Sequence, residues 1–234
     1  MKFSPNSVTT LKIMAKKDYK TNTPWGGIMI SFEGAEGCGK STQIHRLHTN
    51  LEDAGFKVVS TREPGGTDIG EEIRHLLKYS HENVRMFPET ELLLFAAARA
   101  QLVREVILPQ INKGRIVLCD RFMDSTTVYQ GIARQVSDDP VQTINEFAIG
   151  DIMPDLTFIL DVPEEVSMQR VQERHEGPPD RFEQESIDFY SKVRKGYLLL
   201  AESMPDRFYI IDGTLDRKLI EDEIYQSVRE RFEL

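Results

Sequence analysis

The sequence predicts an α/β fold in which five parallel strands form one sheet with helices on both faces. Short apolar stretches alternate along the chain with longer amphipathic stretches, which is the pattern of strands joined by helices. Crossover helices make neighbouring strands parallel and cover both faces of the sheet. At 234 residues the chain has room for one such domain with a buried core.

The strands are predicted from five short apolar runs, in order Ile28–Glu33, Lys57–Thr61, Arg115–Asp120, Leu156–Asp161 and Phe208–Asp212. Helical periodicity between and after them predicts Gly39–Ala54, Asp68–Lys78, Glu89–Asn112, Ser125–Gln135, Pro140–Gly150, Pro163–Arg174, Ser186–Ser203 and Leu215–Phe232. Gly55, Gly114 and Gly213 mark element boundaries. In such a sheet, ligands bind at the carboxyl ends of the strands.

The first strand leads into a complete phosphate-binding loop of the form G-x-x-x-x-G-K-[ST], Gly34-Ala35-Glu36-Gly37-Cys38-Gly39-Lys40-Ser41-Thr42. Between a strand and a helix, the backbone N–H groups of such a loop and the positive end of the helix can hold a phosphate. Lys40 is expected to reach the terminal phosphates of ATP, and the Ser41 hydroxyl to bind Mg²⁺. The alternative is a glycine-rich turn with a chance Lys-Ser, which this context disfavours. The sequence thus predicts a P-loop NTPase fold.

Composition and charge exclude several classes of function. A formal net charge of −9 argues against a general nucleic-acid binder, although a few focused arginines can still hold an anionic small substrate. The chain contains no apolar run long enough to span a membrane, so no membrane partner is expected. Its two cysteines, Cys38 and Cys119, form no disulfide framework, which favours a reducing cytoplasm.

Residues 1–26 differ from the rest of the chain. They contain five lysines against one acidic residue and show no sustained periodicity. The segment has no continuous apolar core of the kind that a secretory signal needs. We expect a disordered tail at 1–26 and one catalytic domain at 27–234.

Charged residues follow three of the predicted strands. Thr61-Arg62-Glu63-Pro64-Gly65-Gly66 follows the second strand, Asp120-Arg121-Phe122 ends the third, and Asp161 ends the fourth. For Arg62 and Glu63 alone, a solvated turn would be the simpler explanation. The phosphate-binding loop at the same edge of the sheet favours a functional role.

These residues together resemble the thymidylate kinases, which phosphorylate dTMP. Besides the phosphate loop with Glu33, the matching segments are Thr61–Thr67, Leu94–Gln101, Asp120–Phe122, Tyr129–Gly131, Pro154–Thr157 and Asp180–Glu183. The resemblance runs from about Ile28 to the C-terminus, and the segments occur in a family-specific order. It implies an ATP:dTMP phosphotransferase that makes dTDP for nucleotide biosynthesis, with Mg²⁺ as cofactor, and a homodimer.

The base site is predicted from one helix. Phe95 and Arg99 are four residues apart and share a face, where a ring can stack on a planar base and a guanidinium can donate to its carbonyl edge. For a lone pair, a core Phe and a surface Arg would be the simpler explanation, and the resemblance reverses that preference. It also implies that Thr126 contacts the thymine edge, that Tyr129 crowds the 2′ carbon, and that Glu36 reaches the 3′-hydroxyl.

The phosphate contacts are predicted from charge. The Arg121 guanidinium suits bidentate capture of the acceptor monophosphate, and Arg62 is a second candidate. Asp120 is expected either to bind Mg²⁺ through water or to orient Arg121.

Three further arginines, Arg170, Arg174 and Arg181, flank the turn-rich stretch Glu176-Gly177-Pro178-Pro179, which predicts a short mobile lid. Lid arginines could neutralise charge on the moving phosphoryl group, and the resemblance is to the bacterial type, whose phosphate loop has no arginine. The spacing leaves open which of Arg170 and Arg174 touches phosphate. A solvated basic helix end is the alternative.

Two other functions share the phosphate loop. A kinase for another small molecule would lack the Phe95, Arg99 and Tyr129 combination. A regulatory GTPase would need an Asn/Thr-Lys-x-Asp element to bind guanine, and the nearest match, Asn112-Lys113-Gly114-Arg115, ends in arginine. Both are therefore disfavoured.

Overall fold

A computed structural model describes residues 26–80, 83, 85–173 and 179–234 of the chain. Within these ranges the strands are β1 (Ile28–Glu33), β2 (Val58–Arg62), β3 (Ile116–Asp120), β4 (Leu156–Asp161) and β5 (Phe208–Asp212). They form one sheet in the order β2-β3-β1-β4-β5, with every pair parallel. The predicted five-stranded parallel sheet is confirmed. The predicted tail lies outside the described residues except for Gly26.

Helices follow the strands in the predicted alternation. They are α1 (Lys40–Asp53), α2 (Asp68–Lys78), α3 (Pro88–Leu102), α4 (Leu108–Ile111), α5 (Met123–Thr126), α6 (Asp138–Ile149), α7 (Glu164–Glu173), α8 (Ile187–Ser203) and α9 (Arg217–Phe232). Among the described residues, none of these helices is long and apolar enough to cross a membrane.

Alternation along β1 shows how the two faces of the sheet are covered. Ile30 and Phe32 lie in a core cluster with residues of α1 and α9. Met29, on the opposite face, lies in a cluster with Leu102 of α3 and Ile149 of α6. Successive side chains of a strand point to opposite faces, so helices pack on both sides of the sheet, as predicted.

Two predicted helices are interrupted by wider, π-helical segments. The predicted helix Glu89–Asn112 is α3, a π segment at Val103–Ile107, and α4. Pro109 in α4 has no N–H to donate to the carbonyl of residue 105, four positions earlier, and its ring would clash there. The widened turn falls where that hydrogen bond is lost. The predicted helix at 125–135 likewise begins earlier, as α5, and continues as a π segment at Thr127–Ala133.

The strand register brings the charged strand ends to one edge of the sheet. Arg62 of β2 and Phe32 of β1 both lie opposite Asp120 of β3. Glu33 of β1 lies opposite Ile159 of β4, two residues before Asp161. The phosphate-binding loop leaves β1 at this edge, so the loop and the strand ends form one site.

Candidate active site

The phosphate-binding loop depends on its glycines. Gly34 has φ of 133° and Gly39, which caps α1, has φ of 102°, a region that other residues rarely adopt. A Cβ atom on Gly34 would also lie 2.6 Å from the carbonyl oxygen of Leu160. The backbone of the loop can therefore approach a ligand closely. The same turn and the start of α1 contain the remaining predicted loop residues, which are Ala35, Glu36, Gly37, Cys38, Ser41 and Thr42.

The ammonium group of Lys40 lies under this loop. Lys40 Nζ donates to the carbonyl oxygens of Ala35 at 2.8 Å and Gly34 at 3.2 Å. Lys40 is buried, so its charge is held beside the loop and can act on a phosphate with little screening.

The two predicted metal ligands lie together. Ser41 Oγ at the start of α1 donates to Asp120 Oδ2 at the end of β3, at 2.6 Å. A hydroxyl and a carboxylate oxygen are the hard ligands that Mg²⁺ prefers, and Mg²⁺ takes one or two such protein ligands with waters and substrate phosphates completing its octahedron. Among the described residues there is no cluster of three or more His, Cys, Asp or Glu side chains suited to a metal. The donor set at Ser41 and Asp120 therefore fits Mg²⁺ held together with a nucleotide.

Three predicted substrate residues form one hydrogen-bonded cluster beside the loop. Arg121 Nη2 donates to Glu36 Oε1 at 2.8 Å, and Tyr129 OH donates to Glu36 Oε2 at 2.7 Å. The Arg121 guanidinium lies 5.0 Å from the centre of the Tyr129 ring. Burial raises the pKa of Tyr129 well above its usual value, so the phenol remains a donor to Glu36.

Behind this cluster lies a buried carboxylate that the sequence did not single out. Arg121 Nη1 donates to the hydroxyl oxygens of Ser125 and Tyr197, at 3.1 and 3.2 Å. Both hydroxyls in turn donate to Glu33 Oε2, at 2.6 and 2.7 Å. Burial raises the pKa of Glu33, which is fully buried at the end of β1. The sequence gives two signals for Glu33, its place directly before the phosphate loop and its part in the matching segment, but neither specifies a role.

A pocket of about 380 Å³, including its open mouth, extends from Glu36 towards α3. It is lined by Glu36, Glu63, Pro64, Lys78, Phe95, Arg121, Ser125, Thr126, Tyr129, Gln130 and Phe182. Phe182 packs edge-to-face on Phe95, with ring centres 5.8 Å apart. The structure therefore brings Phe95, Thr126 and Tyr129 together as predicted. Gln130 and Phe182 had no role assigned to them from sequence, although both stand in segments that carried the family resemblance.

Arg99 lies behind the pocket wall and does not line it. Its side chain is 1% exposed. It donates to Glu63 Oε2 at 2.8 Å, to Asn145 Oδ1 at 2.7 Å and to Thr126 Oγ1 at 2.8 Å. Phe95 therefore lines the pocket and Arg99 does not, and the predicted contact from Arg99 to a base stays a prediction. Arg99 instead holds two residues, Glu63 and Thr126, that do line the pocket.

Glu63 is a buried acid in this wall. Burial raises its pKa from 4.5 to about 7, against the opposing effect of Arg99, while Glu33 and Asp124 add to the rise. Among the described residues, Glu63 Oε1 is buried and has no hydrogen-bond partner. The carboxyl group therefore titrates near neutral pH.

The raised pKa of Glu63 predicts a pH-dependent stability. Between pH 4.5 and about 7 the folded protein binds more protons at Glu63 than the unfolded chain, so the free energy of unfolding falls as the pH rises. The resulting change in the free energy of unfolding is at most about 3 kcal/mol. Denaturant unfolding at pH 5 and pH 7.5 should show that the wild type loses more stability over this range than Glu63→Gln does. Glu89→Gln, at an exposed position, should follow the wild type. Equal losses in wild type and Glu63→Gln would contradict the assignment.

Three of the remaining predicted arginines, Arg62, Arg170 and Arg181, contact different partners. Arg62 is half exposed and pairs with Glu71 at 2.8 Å. Arg170 Nη1 donates to the carbonyl oxygen of Gly213 at 3.0 Å. The Arg170 Cβ would lie 3.3 Å from a Cβ built on Gly37, which places Arg170 against the phosphate loop.

Arg181 lies on the pocket side of the site. It pairs with Glu91 and packs on the ring of Phe182, with its guanidinium 4.8 Å from the ring centre. Arg174 and most of the predicted lid, residues 174–178, are outside the described residues. Contacts from these arginines to a phosphate stay predictions.

Comparisons with known proteins agree on one family. The family model for thymidylate kinase matches residues 32–224. The chain is 48% identical over 200 residues to the thymidylate kinase of Kosmotoga olearia, covering 86% of this chain and 94% of that one. It is 50% identical over 191 residues to that of Geobacter sulfurreducens, covering 80% and 89%. A crystal structure of thymidylate kinase from Ehrlichia chaffeensis matches with a TM-score of 0.71 and 31% identity, over 87% of this chain and 99% of that chain. The predicted P-loop NTPase fold is thereby confirmed.

Proposed function

The chain belongs to the thymidylate kinase family and phosphorylates dTMP to dTDP with ATP, and we propose how its residues divide that reaction. One observation carries the proposal: Glu36 belongs to the phosphate loop and also bonds Arg121 and Tyr129 at the pocket. Because one residue joins the two regions, a donor held by the loop and an acceptor held in the pocket would present adjacent phosphates. Such positioning is the main requirement of phosphoryl transfer.

The donor site would be the loop at residues 34–42. Its backbone N–H groups would hold the ATP phosphates, and Lys40 would exchange its contacts with the loop carbonyls for the terminal phosphates. Ser41 and Asp120 would hold Mg²⁺, which neutralises phosphate charge when bound. Activity would then be lost when divalent ions are chelated and return with Mg²⁺. Arg170 and Arg174 would supply further positive charge from α7 and beyond it.

The acceptor phosphate would bind at Arg121. Its guanidinium is planar and already fixed by Glu36, Ser125 and Tyr197, so it could take two phosphate oxygens with little reordering. Arg62 would be a second, exposed contact. Arg181 would approach as the lid segment closes. A phosphate monoester is largely deprotonated at neutral pH, so its oxygen could attack the γ-phosphorus without a general base.

The nucleoside would fill the rest of the pocket. Phe95 would stack on the thymine ring, and Thr126 and Gln130 would meet its polar edge. Glu36 would accept from the 3′-hydroxyl, and the Tyr129 ring would leave no room for a 2′-hydroxyl. Most N–H groups of the Arg99 guanidinium already donate to protein acceptors, among them Asn145 Oδ1 and Thr126 Oγ1. We therefore propose that Arg99 acts mainly by ordering Glu63 and Thr126.

A coupled ADP-release assay with ATP and a panel of dTMP, dUMP, UMP and shikimate tests this function. We expect dTMP to be the preferred acceptor. Phe95→Ala should raise KM for dTMP about 10- to 100-fold through lost stacking and burial. Phe87→Ala, whose ring is 73% exposed at the start of α3, is the matched control and should behave as wild type. Preference for another acceptor, or an unchanged KM in Phe95→Ala, would contradict the proposal.

We further propose that the protein is a cytoplasmic homodimer with one domain at 27–234. Leu93 of α3 and Phe147 of α6 are 56% and 79% exposed, and the two helices pack side by side, so a second copy could cover both residues. Sedimentation at micromolar concentration tests the dimer, and a monomer would contradict it.

Cys38 and Cys119 are free thiols, as suits a reducing compartment, and cell fractionation tests the location.

A further inference from the structure

Glu91 of α3 is a buried carboxylate to which the sequence assigned no role. It is 1% exposed and accepts hydrogen bonds from two parts of the pocket wall. Its Oε1 accepts from Gln130 Nε2 at 2.6 Å, and its Oε2 accepts from Arg181 Nη2. Arg134 Nε lies 3.5 Å from Oε1 and adds a second compensating positive charge.

The contact with Glu91 fixes which end of the Gln130 amide faces the pocket. A carboxylate accepts hydrogen bonds and has none to donate, so the amide must turn its NH₂ group towards Glu91. The carbonyl oxygen of the same amide then points away from Glu91. Gln130 lines the pocket, and among the described residues its Oε1 accepts no hydrogen bond. The pocket therefore presents a hydrogen-bond acceptor at this point.

An acceptor here suits one class of pyrimidine. Thymine and uracil carry an N–H group at position 3 of the ring, which can donate to a carbonyl oxygen. Cytosine carries a bare nitrogen at that position, and two acceptors would then face each other. A buried polar group left without its partner weakens binding, and we expect cytosine to bind about 5- to 150-fold more weakly than thymine for this reason.

The second oxygen of Glu91 contacts the chain next to another aromatic residue of the pocket wall. Arg181 is bonded to Glu91, and the next residue, Phe182, packs edge-to-face on both Phe95 and Tyr129, with ring centres 5.8 and 6.2 Å away. Glu91 thus contacts both Gln130 and the residue before Phe182, whose ring packs beside Phe95.

We infer that Glu91 is a positioning residue for base selection: it orients the Gln130 amide so that the acceptor pocket takes a pyrimidine with an N–H group at position 3. The inference rests on the proposed function of the pocket. Glu91 acts through Gln130 and Arg181 and touches no substrate itself.

The test compares dTMP as substrate with dCMP as competitive inhibitor in wild type, Glu91→Gln and Glu89→Gln. A glutamine at position 91 can present either NH₂ or oxygen to Gln130, so the orientation is no longer fixed. We expect KM for dTMP to rise about tenfold and the ratio of the dCMP inhibition constant to that KM to fall by at least a similar factor, with kcat changed less than about threefold. Glu89 lies two residues earlier in α3 and is exposed, so Glu89→Gln should leave all three values unchanged.

Two further variants keep the inference falsifiable. In a Gln130→Ala background, Glu91→Gln should no longer change the ratio of the dCMP inhibition constant to KM for dTMP. The remaining contact, with Arg181, has no group that distinguishes the two bases at position 3. If Glu91→Gln fails to fold, Gln130→Ala alone must still lower the ratio of the dCMP inhibition constant to KM for dTMP. An unchanged ratio in Gln130→Ala, or an equal weakening of dTMP and dCMP in Glu91→Gln, would overturn the inference. Wild-type protein that does not phosphorylate dTMP would instead overturn the proposed function.

Discussion

Lys40→Met is expected to lower kcat at least about 100-fold, the scale on which enzymes lose activity when one preorganised charge donor at the transition state is removed. The Lys40 ammonium is buried against the carbonyls of Gly34 and Ala35, next to where the terminal phosphates of ATP would lie. Methionine keeps most of the volume of the side chain and removes the charge. Steady-state turnover with saturating ATP and dTMP, with circular dichroism to confirm folding, measures the effect.

Lys57→Met is the matched control for this variant. Lys57 is exposed just before β2, so the same substitution there should leave turnover unchanged. If Lys40→Met keeps more than about a third of wild-type turnover, the role given to this lysine is wrong.

Arg121→Lys is expected to lower kcat/KM for dTMP about 100-fold while KM for ATP stays within about threefold of wild type. The guanidinium of Arg121 contacts Glu36, Ser125 and Tyr197 from a left-handed backbone conformation with φ of 69°. Lysine keeps the positive charge and adopts that backbone no less readily, but it has no planar fork for two phosphate oxygens. Initial rates over a matrix of ATP and dTMP concentrations separate the two KM values.

Arg115→Lys is the control for the change from arginine to lysine. Arg115 lies before β3 and donates to Gln110, away from the pocket, so its replacement should change neither KM. An Arg121→Lys enzyme with KM raised equally for ATP and dTMP would show that Arg121 does not act on the acceptor alone.

The sequence predicts the sheet well because its strands are short apolar runs with clear ends. β1, β4 and β5 begin and end at the predicted residues, and β2 and β3 start one residue later than predicted. Apolar periodicity did not predict the π segment at Val103–Ile107, because it is too coarse to distinguish a widened turn from an α-helical one. Pro109 signals a disturbed helix at this point but does not specify the form that the disturbance takes.

The sequence predicts the site residues that directly follow a strand. The phosphate loop and Arg121 follow directly on strands, and a strand end is visible in one sequence. Glu33 and Glu91 gain their roles from partners far along the chain, Tyr197 for Glu33 and Arg181 for Glu91. Such pairings depend on where α8 packs against β1 and where the turn at residues 181–184 lies against α3, which residue spacing does not specify. Arg99 illustrates the same limit. Helical spacing predicts that it shares a face of α3 with Phe95, but it does not predict that Glu63 lies beside its guanidinium.

We propose that the pocket beside the phosphate loop holds thymine against Phe95 and the dTMP phosphate on Arg121. A crystal structure of the protein with dTMP and a non-hydrolysable ATP analogue would show both contacts. We expect the pyrimidine ring stacked on Phe95, its phosphate bonded to Arg121, and the triphosphate over residues 34–42. A pyrimidine bound outside this pocket, or a dTMP phosphate with no contact to Arg121, would contradict this proposal.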